Sequence, residues 1–192
     1  MNLPISFFPL INRVVLCCFM ILVVTEGCKN EDDNDTDNNN EQELITTLRL
    51  QFTNANDSSN IRTFVFNDPD GDGGLSPTAD TISLPVNQNY FLAAHFRDES
   101  KTPDIDLTAE IKEEGTAHQV FYTTSNTDCI FEYDDADTNG LPIGLDMLVA
   151  TNNSVGVGTL TVTLKHQPNG LKNNNIDAGD TDVAATFVLK ID

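Results

Sequence analysis

Thr159-Leu160-Thr161-Val162-Thr163-Leu164-Lys165-His166 is the stretch that decides the fold class. Leu160, Val162 and Leu164 recur at every second position, with threonines and a lysine between them. Successive side chains of a β-strand point to opposite faces, so a period of two puts all three apolar groups on one face. One buried face and one wet face is the pattern of an antiparallel sheet. The end of the chain repeats it, with Val183, Ala185, Phe187, Leu189 and Ile191 sharing a face.

Further short alternating or β-branched stretches lie at 45–52, 62–67, 81–84, 90–97, 106–112, 118–123 and 130–133, besides 158–166 and 183–191. Asn, Asp, Gly and Pro separate them, and no strong helical period interrupts them. This spacing predicts an all-β domain over 44–192, an immunoglobulin-like antiparallel β-sandwich of two sheets. Such a length supports one domain with its own core.

The N-terminal segment has a different character. Arg13 is the only basic residue before an apolar run at 14–24. A basic residue followed by a short apolar stretch is the layout of a secretory signal peptide. The run is about half the ~20 residues that a membrane-spanning helix needs. It ends in Val23-Val24-Thr25-Glu26-Gly27-Cys28, which resembles the bacterial lipobox, where a small residue precedes a cysteine that is lipidated after cleavage. Residues 1–27 are therefore expected to be a lipoprotein signal peptide and Cys28 the lipid site. Residues 28–43 then form an acidic, Asn-rich tether with too few apolar groups to fold. Lys29 followed by Glu31, Asp32 and Asp33 also resembles the surface-export signal of Bacteroidetes lipoproteins, which implies an outer-membrane, cell-surface location.

Composition narrows the partners. The chain carries a formal net charge of -20, which argues against nucleic acid, whose phosphates need Lys and Arg. It fits affinity for cations as well as simple solubility. Of the four cysteines, Cys17 and Cys18 fall in the signal segment and Cys28 carries the lipid. Only Cys129 remains, so the domain has no internal disulfide and Cys129 reads as a small core residue.

Two constellations carry possible chemistry. Asp68-Pro69-Asp70-Gly71-Asp72-Gly73-Gly74-Leu75 matches the opening of a calcium loop, D-x-D-x-D-G, in which alternate carboxylates converge on one hard cation. Its twelfth position is Ala79 rather than the bidentate Glu, with Asp80 one place later. A flexible acidic hairpin would explain the same residues. Asp135-Ala136-Asp137-Thr138-Asn139-Gly140 is a less complete match, and a type I′ turn at Asn139-Gly140 accounts for it. The acidic stretch 177–182 reads as a solvated turn. The second constellation is the three histidines, His95, His118 and His166, all on expected strands. Brought together, and with Glu113 or Glu114 adding an oxygen, they would hold zinc or copper. The competing expectation for His166, which shares the parity of Leu160, Val162 and Leu164, is a histidine at the core edge making one hydrogen bond.

Four stretches carry a family resemblance: Asp98-Glu99-Ser100-Lys101-Thr102-Pro103; Glu113-Glu114 with His118-Gln119-Val120-Phe121-Tyr122; 135–144; and 160–168, ending His166-Gln167-Pro168. Together they resemble a family of small Bacteroidetes outer-membrane lipoproteins, often encoded beside TonB-dependent transporters. Some of its members carry the label of a type 1 periplasmic binding fold or of a GTP cyclohydrolase. A two-lobed α/β binding protein needs alternating strands and helices that this chain lacks. No Cys/His cluster supports the cyclohydrolase. What the resemblance implies is class, location and a possible transporter partner.

Catalysis finds little in the sequence: no G-x-S-x-G elbow and no nucleophilic cysteine with a partner. The absence of tryptophan argues against a carbohydrate platform. The expected function is a membrane-anchored binding module, not an enzyme, capturing a metal ion or metal-bearing ligand alongside a TonB-dependent transporter. The alternatives are a structural or adhesive surface module rigidified by calcium and, less favoured, a hydrolase with an unrecognised site.

Overall fold

The computed structural model describes residues 44–71 and 73–192. The expected signal segment, Cys28, the tether and Asp72 lie outside the described residues.

In chain order the elements are β1 (Thr47–Asn54), β2 (Asp57–Asn67), β3 (Thr78–Ala79), β4 (Thr81–Leu84), β5 (Asn89–Asp98), β6 (Ile105–Asp106), α1 (Thr108–Glu113), β7 (His118–Ser125), β8 (Cys129–Tyr133), β9 (Asp146–Thr151), β10 (Gly156–His166) and β11 (Asp180–Ile191). One sheet runs β3-β2-β1-β5-β9-β8, with β6 also paired to β5; the other runs β4-β11-β10-β7. Every pairing is antiparallel except that of β11 with β4. The all-β sandwich expected from the alternation is present.

The alternation sets the core as anticipated. Leu160, Val162 and Leu164 of β10 are fully buried, and so are Ala185, Phe187 and Leu189 of β11. The first sheet faces them with Leu48, Leu50 and Phe52 of β1 and Leu92, Ala94 and Phe96 of β5. Register pairs these inward residues across the strands, Leu50 opposite Ala94 and Phe52 opposite Leu92. Phe66 and Phe187 meet from opposite sheets with ring centroids 6.3 Å apart. Removing one such leucine, as in Leu50→Ala, costs about 2–5 kcal/mol through lost transfer energy and the cavity left behind.

Two expectations fail. The stretch 106–112 is not a strand: β6 ends at Asp106 and helix α1 follows. Leu107 and Ile111 are four apart, and both are buried. That spacing places them on one helical face. The intervening Ala109 and Glu110 favour a helix. β9 was not anticipated. Its sequence, Asp-Met-Leu-Val-Ala-Thr, buries Met147 and Val149, but Leu148 on the outer face is apolar too and hides the alternation.

Candidate functional site

The last residues of β10 and the first of β7 build a polar cluster at one end of the second sheet. Antiparallel register sets His166 directly opposite His118. Both are buried, and their rings stack with centroids 4.7 Å apart and planes 13° from parallel. On the other side of β10, the β11 register slips between Leu164 and Lys165, so that Val183 faces Leu164 and Thr181 faces Lys165. Asp182 is left without a cross-strand partner. A bulge of this kind re-aims a side chain, and the Asp182 carboxyl ends 1% exposed with Oδ2 4.0 Å from His118 Nε2. His118 Nδ1 lies 3.7 Å from Glu114 Oε2 on the other side of the ring.

Neither contact is a hydrogen bond. Both Asp182 oxygens and His118 Nδ1 are buried without a hydrogen-bond partner among the described residues. Burial therefore dominates both titrations. It lowers the His118 pKa to about 4, helped by the neighbouring His166. It raises that of Asp182 to about 7, helped by Asp180 and opposed by Lys165. Each group is held toward its neutral form, so the 4.0 Å approach is not a formed ion pair near neutral pH. Lys165 is the nearby cation, but its Nζ donates to Thr181 Oγ1 at 3.0 Å rather than to Asp182.

The three histidines do not converge. His95 lies on β5 of the first sheet, between Ala94 and Phe96, which both point into the core, so its side chain is on the outer face. The two remaining rings are close to parallel, and each nitrogen lone pair lies in its own ring plane, so the lone pairs lie in nearly parallel, separate planes. Zinc needs its ligand nitrogens about 2.0–2.1 Å from a single point, which stacked rings do not provide. Glu114 sits on the Nδ1 side of His118 and Asp182 on the Nε2 side, so these carboxylates do not share one imidazole nitrogen. Among the described residues, no group of three or more His, Cys, Asp or Glu side chains is arranged to hold a metal.

The 68–77 loop joins β2 to β3 and faces the start of β11 across a depression of about 780 Å³. Asp68, Asp70 and Gly74 line it from the loop side, and Thr181 and Asp182 from β11. Asp70 Oδ2 accepts the Leu75 N–H at 2.8 Å, closing the loop on itself. A Cβ at Gly74 would meet the Asp70 carboxylate, which would have to shift to make room. Asp72 is outside the described residues. Asp80 does not complete the loop: its Oδ2 accepts the Val65 N–H at 2.8 Å and its own N–H donates to Val65 O at 2.9 Å, tying it to β2.

The 135–140 stretch is of another kind. Asp135 accepts three backbone N–H groups, from Gly144 at 2.6 Å, Leu145 at 2.8 Å and Asp146 at 3.2 Å. Asp137 Oδ1 accepts the N–H groups of Asn139 and Leu141, and its Oδ2 takes the buried Lys172 Nζ at 2.9 Å. The expected type I′ turn is corrected: Gly140 has a φ of 79°, but Asn139 is not in the positive-φ region that type I′ also requires there. The expectation of a solvated turn at 177–182 also needs correction, since the Asp182 side chain is buried. Asp182 is the functional candidate that the sequence concealed. Strand parity with Val183 would turn it outward, and only the bulge opposite Lys165 turns it in.

Cys129 is free and buried, with burial pushing its thiol up to about 12, so it stays protonated in the core. Comparison with known proteins gives no match to this chain among protein-family models, curated proteins or solved structures.

Proposed function

We propose that this chain is a membrane-anchored surface module, lipidated at Cys28 and carried on the 28–43 tether, whose immunoglobulin-like sandwich takes a hard divalent cation of the calcium class in the 68–77 loop. The cation stiffens the loop that rims the depression, and that rim is the part of the module offered to a ligand or to a TonB-dependent transporter. The observation that carries this reading is the placement of Asp68 and Asp70 on one depression, behind a turn closed by the Asp70–Leu75 hydrogen bond. Calcium accepts carboxylate, carbonyl and water oxygens in a flexible shell, which suits a short acidic loop without an imidazole ligand. The stacking of His118 on His166, with His95 on the other sheet, favours calcium over zinc or copper.

The test is metal analysis of protein purified without a His-tag, followed by thermal melts with calcium, manganese, zinc or copper and with chelator. A ligand that binds only the folded state stabilises it by about 2.7 kcal/mol at a hundredfold excess over Kd. Calcium at millimolar concentration is expected to raise the Tm, and Asp70→Ala to remove most of that rise. Identical melts in calcium and in chelator would end the calcium reading.

A further inference from the structure

We propose that Asp182 is the buried ligand of this cation, and that the ion ties the 68–77 loop of the first sheet to β11 of the second. This rests on the calcium reading above and adds the opposite wall of the site.

Asp182 stands apart from the other engaged carboxylates of the domain. Its side chain is 1% exposed, as is that of Asp137, yet Asp137 is saturated by two backbone N–H groups and Lys172. No donor reaches either oxygen of Asp182 among the described residues. A buried carboxylate without donors is strongly unfavourable unless it is neutralised or meets a cation. Among the described residues, Lys165 donates to Thr181, and Lys172 to Gly115 O and Asp137. His118 is 4.0 Å away and makes no hydrogen bond to it.

Position supplies the other half. Asp182 lines the same depression as Asp68 and Asp70, but from β11, while the two loop residues follow β2. The described carboxylates do not converge on one point as they stand; a cation held between these walls would draw them together and so bridge the two sheets. The donor chemistry selects a hard ion. Two uncommitted carboxylate oxygens offer bidentate oxygen ligation, and carbonyl or water oxygens complete a shell of 6–8 at about 2.3–2.6 Å. The nearby imidazoles are stacked on each other, so no soft, nitrogen-rich set forms around the same point.

The test uses the full domain with calcium alone as the probe, titrated calorimetrically and by thermal melting for the wild type, Asp182→Asn and Asp137→Asn. Asp182→Asn is expected to bind calcium at least about tenfold more weakly, the low end of what disturbing a metal's shell costs. In chelator at pH 8 it should melt no lower than the wild type, because the substitution removes a buried charge that lacks donors. Asp137→Asn should melt lower in chelator yet keep wild-type calcium affinity. If Asp182→Asn binds calcium as tightly as the wild type, Asp182 is not a ligand, although the loop still is. If Asp182→Asn melts well below the wild type in chelator, its role is structural and the proposal fails. If the wild type itself does not respond to calcium, the calcium reading falls first and this inference with it.

Discussion

Two acidic stretches with nearly the same spacing, 68–75 and 135–140, have become opposite things. In 135–140 each aspartate is consumed by the protein. Asp135 clamps three backbone N–H groups at the approach to β9, and Asp137 pairs with Lys172 in a buried contact whose partners are 1% and 2% exposed. In 68–75, Asp68 and Asp70 line an open depression, Asp70 while accepting the Leu75 N–H, opposite an aspartate that no donor reaches among the described residues. Motif spacing sets where carboxylates sit along the chain. What they bind depends on which donors the rest of the fold brings to them. Lys172, thirty-five positions beyond Asp137, converts one stretch into a structural joint.

The largest expected effect breaks that joint. Lys172→Met leaves Asp137 buried and uncompensated, and loss of one partner of a buried pair costs about 3–5 kcal/mol. Urea unfolding should show that loss undiminished in millimolar calcium. Recovery of most of it on adding calcium would mean that 135–140 is itself a cation loop.

A second prediction concerns pH at the other end. Asp182 is raised from 3.8 to about 7, so the folded state holds its proton more tightly than the unfolded chain does. Its contribution is fully present below about pH 4 and is lost as pH rises toward 7. His118 is lowered from 6.5 to about 4, so its contribution runs the other way, present above pH 6.5 and lost as pH falls toward 4. The two oppose each other, and the wild type should be nearly flat across that window from this pair. Asp182→Asn removes one side of the balance and should gain stability steadily from pH 4 to 6.5 relative to the wild type. Parallel stability–pH curves for the two proteins, from chemical denaturation in chelator, would show that Asp182 titrates as an ordinary exposed carboxylate.

The smallest effect belongs to His95. Standing on the outer face of the first sheet, it should tolerate His95→Ala within about 0.5 kcal/mol and with unchanged metal response, as surface substitutions do. A loss of metal response would return it to the site.

The fold was legible where side chains alternate in polarity. β10 and β11 announce their buried faces through Leu160 to Leu164 and Val183 to Ile191, and both faces are buried, Val183 only in part. It was obscured where the outer face is also apolar, as at Leu148 of β9, and where four-residue spacing mimics alternation, as at Leu107, which caps α1, and Ile111 within it. The site was half legible. Two of the three histidines meet because β7 and β10 are neighbours, a pairing that no local spacing reveals. Asp182 was hidden because a register slip, not its own sequence context, decides which way it points.

The contrast between the two acidic stretches is tested most directly by a calcium titration followed residue by residue in ¹H–¹⁵N NMR spectra of the full domain. The account predicts saturable shifts in the amides of 68–77 and of Thr181, Asp182 and Val183, with 135–144 unmoved. Shifts centred on Asp135 to Gly140, with 68–77 and Asp182 silent, would contradict it.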